Sequence, residues 1–219
     1  MTEAGLSPLQ IFLRRSLTLC VAVILLLGVA TLFFSQAQLE GASEETGVIE
    51  LSHALILFLS ACVFFSESWR WSALGATAGF QGGVMLILSF RELDLREFHQ
   101  VPEVLVWLSG DLGSSVIVAP IMLAVLINLG AHFKGIGEAW RTVPWKTFGI
   151  MMALLLPAYL LSNLFEKGLI SFAHLDLFFE EGAETIIAVV LLAYAWTTAP
   201  LFAEKPAKAI PAEARPVDH

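Results

Sequence analysis

Six apolar stretches of membrane-spanning length restrict this chain to a polytopic helical bundle: residues 16–34, 48–65, 71–90, 112–130, 147–165 and 183–201. A hydrocarbon core of about 30 Å takes roughly 20 apolar residues in a helix. Lipid offers the backbone no hydrogen bonds, so such runs cross as helices. Hydrophobic residues make up 57% of the chain, against about 45–50% in a soluble domain. The fold class expected is therefore all-α: six transmembrane helices in one domain over residues 1–203. The links between runs are too short for a separate soluble domain. Residues 204–219 are rich in Ala, Pro and charge and read as a disordered cytoplasmic tail.

The first run follows Arg14-Arg15 and precedes Ser35-Gln36-Ala37, which resembles a signal-peptide cleavage site. It is longer than the apolar core of about 7–15 residues that signals carry, so it reads as a retained span. Cys20 and Cys62 both fall in apolar runs and read as packing residues rather than a disulfide or metal pair. A net charge of −8 argues against nucleic-acid binding.

Lysine and arginine set orientation. With six spans, one side carries Arg14, Arg15, Arg70, Lys134, Arg141, Lys146, Lys205, Lys208 and Arg215, and the other only Arg91, Arg96 and Lys167. Nine against three places both termini in the cytoplasm of a bacterial inner membrane. Fourteen of the twenty acids fall on the opposite, outer side, with His53, His99 and His174. Acids contribute little to orientation, so their asymmetry is separate information.

Gly75, Gly79 and Gly83 recur every fourth residue of the third run. Such a ridge lets another helix approach closely, and the third span is expected near the bundle centre. Pro120 and Pro157 fall inside runs four and five and are expected to kink them. Trp69, Trp71, Trp140 and Trp145 suit an inner interfacial belt. Gly168 after Lys167 reads as a helix stop. Residues 169–179 mix Phe and Leu with His174 and Asp176 and read as a short interfacial segment before the last span.

The chemistry-bearing residues concentrate at the outer ends of runs two, three and six. Glu50 and His53 are spaced i, i+3 on one helix face, a spacing used by metal ligands in bundles. Glu50 also suits a helix N-terminus, and His53 a hydrogen-bonded core position. Arg91 and Asp94 at i, i+3, and Glu92 and Arg96 at i, i+4, form intrahelical pairs if the third helix continues. Otherwise an acid turns inward and Arg91 balances its charge. Glu180, Glu181 and Glu184 open the last run. Acids are ordinary in a first helical turn, but like charges at this spacing repel. A bound cation, a retained proton or Arg91 would relieve that repulsion. The expected site is Glu50, His53, Glu92, Asp94, Glu181 and Glu184 around one divalent metal, with Arg91 balancing charge. Oxygen ligands suit Mg²⁺ or Ca²⁺, and imidazole adds Zn²⁺ or Mn²⁺.

Other chemistries lack their residues. There is no Gly-x-Ser-x-Gly elbow and no His-Glu-x-x-His zinc motif. Nor is there a Gly-rich phosphate loop, or a second histidine securely within a span to pair with His53 on haem. The order Glu44-Glu45 with Glu50, Arg91-Glu92-Leu93-Asp94, then Glu180-Glu181 with Glu184 resembles that of uncharacterised bacterial multispan inner-membrane proteins. That resemblance implies a fold and a site, not a reaction. The His-x-x-x-His pair that membrane hydrolases of the alkaline-ceramidase type carry late in the chain is absent. Three functions stay open. The first is cation or proton binding in transport or sensing. The second is a membrane-embedded metal-dependent enzyme acting on lipid. The third is an accessory subunit whose acids pair with a membrane partner or a second copy.

Overall fold

A computed structural model describes residues 5–43, 47–69, 71–92, 103–109, 111–170 and 175–203. They form nine α-helices and no strand. These are α1 (Pro8–Phe33), α2 (Gln36–Ser43), α3 (Val48–Ser68), α4 (Ala73–Arg91), α5 (Glu103–Ser109), α6 (Asp111–Ala131), α7 (Phe133–Thr142), α8 (Trp145–Glu166) and α9 (Asp176–Thr198), and α9 continues as a 3-10 turn at Ala199–Phe202. Helices α1, α3, α4, α8 and α9 are long and apolar enough to cross a membrane. A sixth crossing follows only if α6 and α7, bent by 98° at their junction, count as one span. Five or six crossings therefore stand where six were expected.

Local sequence explains several boundaries. Ser7 and Gln10 form a reciprocal capping box with Pro8 behind it, which satisfies backbone donors at the start of α1. The helix thus begins ahead of the apolar run and takes in Arg14 and Arg15. At the far end of α8, Gly168 has φ +62°. Its N–H donates to the Phe165 carbonyl, and that of Leu169 to the Leu164 carbonyl, a Schellman stop. Pro120 and Pro157 lie inside unbroken helices. A sharp bend falls at His132, where φ −108° and ψ 18° leave the helical range.

Helix α4 lies between α3 and α6. A Cβ added at Gly79 would stand 3.2 Å from Ser68 Cβ and 3.4 Å from Val125; at Gly83 it would strike the Met122 sulfur. Gly82 faces the other way, against the Phe65 ring and the Ala61 carbonyl of α3. The small-residue ridge does seat neighbours, but α9 is at least as central, packing on α1, α3 and α8. Its ring Tyr194 meets Phe12 at 6.3 Å, Phe64 at 6.2 Å and Phe148 at 6.2 Å. Aromatic pairs of this kind contribute about 0.5–1.5 kcal/mol each beyond area. Arg15 pins α1 to α9 at the same end. Its guanidinium donates to the Trp196 carbonyl at 2.9 Å and lies 5.3 Å over the Trp196 ring.

Two expectations change at α9. The helix begins at Asp176, ahead of the expected residue 183, so residues 176–179 are its first turn rather than part of a separate interfacial segment. Residues 171–174 lie outside the described residues. Glu180, Glu181 and Glu184 therefore occupy the second and third turns, where the helix-terminus effect that favours acids has faded.

Candidate functional site

The start of α3, the end of α4, the end of α8 and the start of α9 meet at one end of the bundle. His53, on the second turn of α3, is 2% exposed. Its Nε2 lies 2.6 Å from Thr185 Oγ1 on α9. The Thr185 hydroxyl donates to the Glu181 carbonyl at 2.9 Å, so its proton is committed and it accepts from Nε2–H. That fixes the imidazole tautomer and leaves the lone pair on Nδ1. Nδ1 faces Glu181 Oε2 at 3.6 Å. Neither atom has a hydrogen-bond partner, and both are buried. Two acceptors held face to face in a dry site are costly unless a proton or a cation lies between them.

Glu184, one turn along α9, completes a group of three. Ligand atoms of His53, Glu181 and Glu184 lie within 4.8 Å of one another. Ser162 of α8 donates to Glu184 Oε1 at 3.0 Å and orients it. Around this group, Glu50, Glu92 and Glu180 all act electrostatically on Glu181.

Glu92 caps the C-terminus of α4, and Arg91 donates through Nε to its Oε1 at 3.0 Å. Burial pushes the Glu92 carboxyl above its ordinary value. The Arg91 charge pulls it back, and Glu184 pushes it further up. The described pairing is between the adjacent Arg91 and Glu92; the expected i, i+3 and i, i+4 pairs involve Asp94 and Arg96. Asp94, Arg96, His99, Glu44, Glu45 and His174 lie outside the described residues. A pocket of about 220 Å³ opens beside the group, lined by His53, Arg91, Glu92, Tyr159 and Glu184 together with apolar residues.

Of the expected metal ligands, His53, Glu181 and Glu184 come together. Glu50 and Glu92 stand around them rather than among them. The Glu50–His53 face therefore does not by itself make the donor set; imidazole and carboxylates meet across helices. Thr185 and Ser162, which hold the imidazole and a carboxylate in place, were not foreseen. The signal available was a hydroxyl residue inside an apolar run beside the acids.

Comparisons of this chain with protein-family models, with curated proteins and with solved structures find no match.

Proposed function

We propose that this chain is a multi-pass inner-membrane protein that binds a divalent transition-metal ion through His53, Glu181 and Glu184, in transport or sensing. The observation that carries the reading is the buried, partnerless His53 Nδ1 facing the equally partnerless Glu181 Oε2 at 3.6 Å. Metal bonds of about 2.0–2.2 Å set two ligands of a tetrahedral ion about 3.4 Å apart. That pair is nearly in place, and a Glu184 ligand atom lies within 4.8 Å of both. One imidazole and two carboxylates suit Zn²⁺ or Mn²⁺ better than Ca²⁺, which takes six to eight oxygens. The Thr185 hydroxyl acts as the outer partner that holds a ligating imidazole in one tautomer. The basic-residue split supports an outward-facing site.

A second reading, a metal-dependent enzyme acting on lipid, is favoured by one observation. The pocket lined by His53 and Glu184 adjoins an apolar groove, described below, so three protein ligands would leave a coordination position facing a cavity.

Elemental analysis of detergent-purified protein, with melting curves in Zn²⁺ and Mn²⁺, tests the metal. A metal at about 100 times its Kd should add about 2.7 kcal/mol. Glu184→Gln should abolish the response, whereas Glu67→Gln, at the far end of α3, should keep it. A parent protein that carries no metal and whose melting curve ignores both ions would defeat the proposal.

A further inference from the structure

We infer that the groove bounded by α4, α8 and α9 holds one acyl chain of an ethanolamine phospholipid, with its phosphate at Arg91 and its ammonium at Glu92. The inference stands on the groove and the pocket mouth, and does not depend on the metal.

The groove measures about 540 Å³, within the range of about 300–1,000 Å³ usual for ligand sites. Its walls are apolar, with Phe80 and Val84 from α4 and Met152 and Leu156 from α8 exposed along its open side. It follows α4 from Thr77 to Leu88. Those eleven steps span about 16 Å at about 1.5 Å per residue, close to half of a hydrocarbon core of about 30 Å. A single acyl chain fits that length. Trp140 and Val143 line the groove near its Thr77 end.

The other end of the groove decides the headgroup. Leu88, Tyr159, Ile187 and Leu191 line both the groove and the polar pocket, so the two adjoin. An occupant is therefore apolar along its length and polar at one tip. At that tip Arg91 is 72% exposed and bonds Glu92 through Nε. A guanidinium fork matches phosphate oxygens, and a primary ammonium brings three donors to a carboxylate. The pocket mouth thus presents a cation beside an anion, the reverse of a phosphate–ammonium head. A head with phosphate alone would meet Arg91 but also face Glu92 and Glu184, both of which line the pocket.

The test is native mass spectrometry of the full chain in detergent, titrated with dioleoyl phosphatidylethanolamine, dioleoyl phosphatidylglycerol and dioleoylglycerol, in EDTA and in Zn²⁺. The ethanolamine lipid should bind most tightly and the diacylglycerol most weakly. Arg91→Gln should weaken the ethanolamine lipid about tenfold, as loss of a charge-assisted hydrogen bond implies. Glu92→Gln should erase its advantage over the glycerol lipid. Val84→Trp and Leu156→Trp should each block retention, while Leu26→Trp on the exposed face of α1 should not. If Val84→Trp fails to fold, Leu156→Trp decides the point. Equal retention of all three lipids by parent and Arg91→Gln would mean annular lipid and overturn the inference. So would a dimer whose groove takes no lipid, which would give that face to a second copy. A flat lipid series alongside an intact Zn²⁺ response defeats this inference alone. An ordered lipid series without any metal response defeats the metal reading alone.

Discussion

Thr185 is the residue through which the candidate site can be tested without touching a ligand. Its hydroxyl accepts from His53 Nε2 at 2.6 Å and donates to the Glu181 carbonyl at 2.9 Å. Valine has the same shape and no hydroxyl. Thr185→Val leaves the His53 N–H buried beside a methyl group, a desolvation penalty of about 1–3 kcal/mol. For a chain of this size, each 1 kcal/mol moves the melting temperature by about 2–4 °C. The expected loss is therefore about 2–12 °C in EDTA, where no metal contributes. A second effect should appear on metal addition. With the Nε2 partner gone, nothing holds the lone pair on Nδ1, and loss of such an outer partner typically costs about 10–100-fold in metal affinity. Thr185→Ser keeps the oxygen and should restore most of both. Melting curves in EDTA measure the first effect and a Zn²⁺ titration the second. A valine variant with parental stability and affinity would refute the hydrogen-bond chain. A serine variant as damaged as valine would assign the loss to packing instead.

Three further outcomes follow from the geometry. Gly82→Ala should destabilise the bundle, because its Cβ would stand 3.1 Å from the Phe65 ring and 3.2 Å from the Ala61 carbonyl oxygen. An overpacking cost of about 1–3 kcal/mol there outweighs or offsets a helix-propensity gain of about 1 kcal/mol. Gly83→Ala meets only the flexible end of Met122 and should be the milder of the two in thermal melts; the reverse ranking would remove α4 from between α3 and α6. Glu92 gives a pH signature: its folded pKa is raised, mainly by burial, so the folded state holds the proton more tightly than the unfolded chain. Its stabilising contribution is full below the unfolded value and is lost as pH rises through the folded one. Glu92→Gln should flatten that decline in melting temperature, and parallel curves for parent and variant would count against it. Finally, in a background lacking Cys20 and Cys62, an impermeant thiol reagent on intact cells should label Gln100→Cys and spare Gly137→Cys; labelling of the latter alone would invert the orientation.

The membrane runs were legible because hydropathy acts within a single segment. Five of the expected spans coincide with α1, α3, α4, α8 and the body of α9, and their ends shift where capping residues act. Ser7 and Pro8 start α1 eight residues ahead of its apolar run, and Asp176 begins α9 seven residues early. Helix order in space was less legible. The glycines of α4 announced close approach, whereas α9 reaches the centre with alanines such as Ala188, Ala193 and Ala195, each 2% exposed or less. Alanine is too common in apolar helices to mark a contact face. The donor set was legible in kind but not in grouping. His53 and Glu50 share a face by helical spacing, yet the partner of His53 is Glu181, 128 residues away along the chain. Only helix packing joins them, and no local period records it. Ser162 and Thr185 escaped notice for the same reason.

The placement of the site within α9 bears on why its acids are tolerated. A carboxylate on a lipid-facing helix end could reach the headgroups, and its charge would have little consequence. Glu181 and Glu184 lie in the second and third turns of a helix flanked by α3 and α8, with His53 across from one and Ser162 across from the other. The same three helices are tied near their opposite ends by Phe64, Phe148 and Tyr194. The ligand atoms therefore ride on helices already fixed by packing, so they cannot relax apart to escape one another's charge. Carboxylates and a lone-pair-bearing imidazole confined in this way need a proton or a cation between them. The apolar groove adjoins the pocket beside the same group. If the proposed cation and the proposed lipid both bind, they are neighbours, and each bears on the other's affinity.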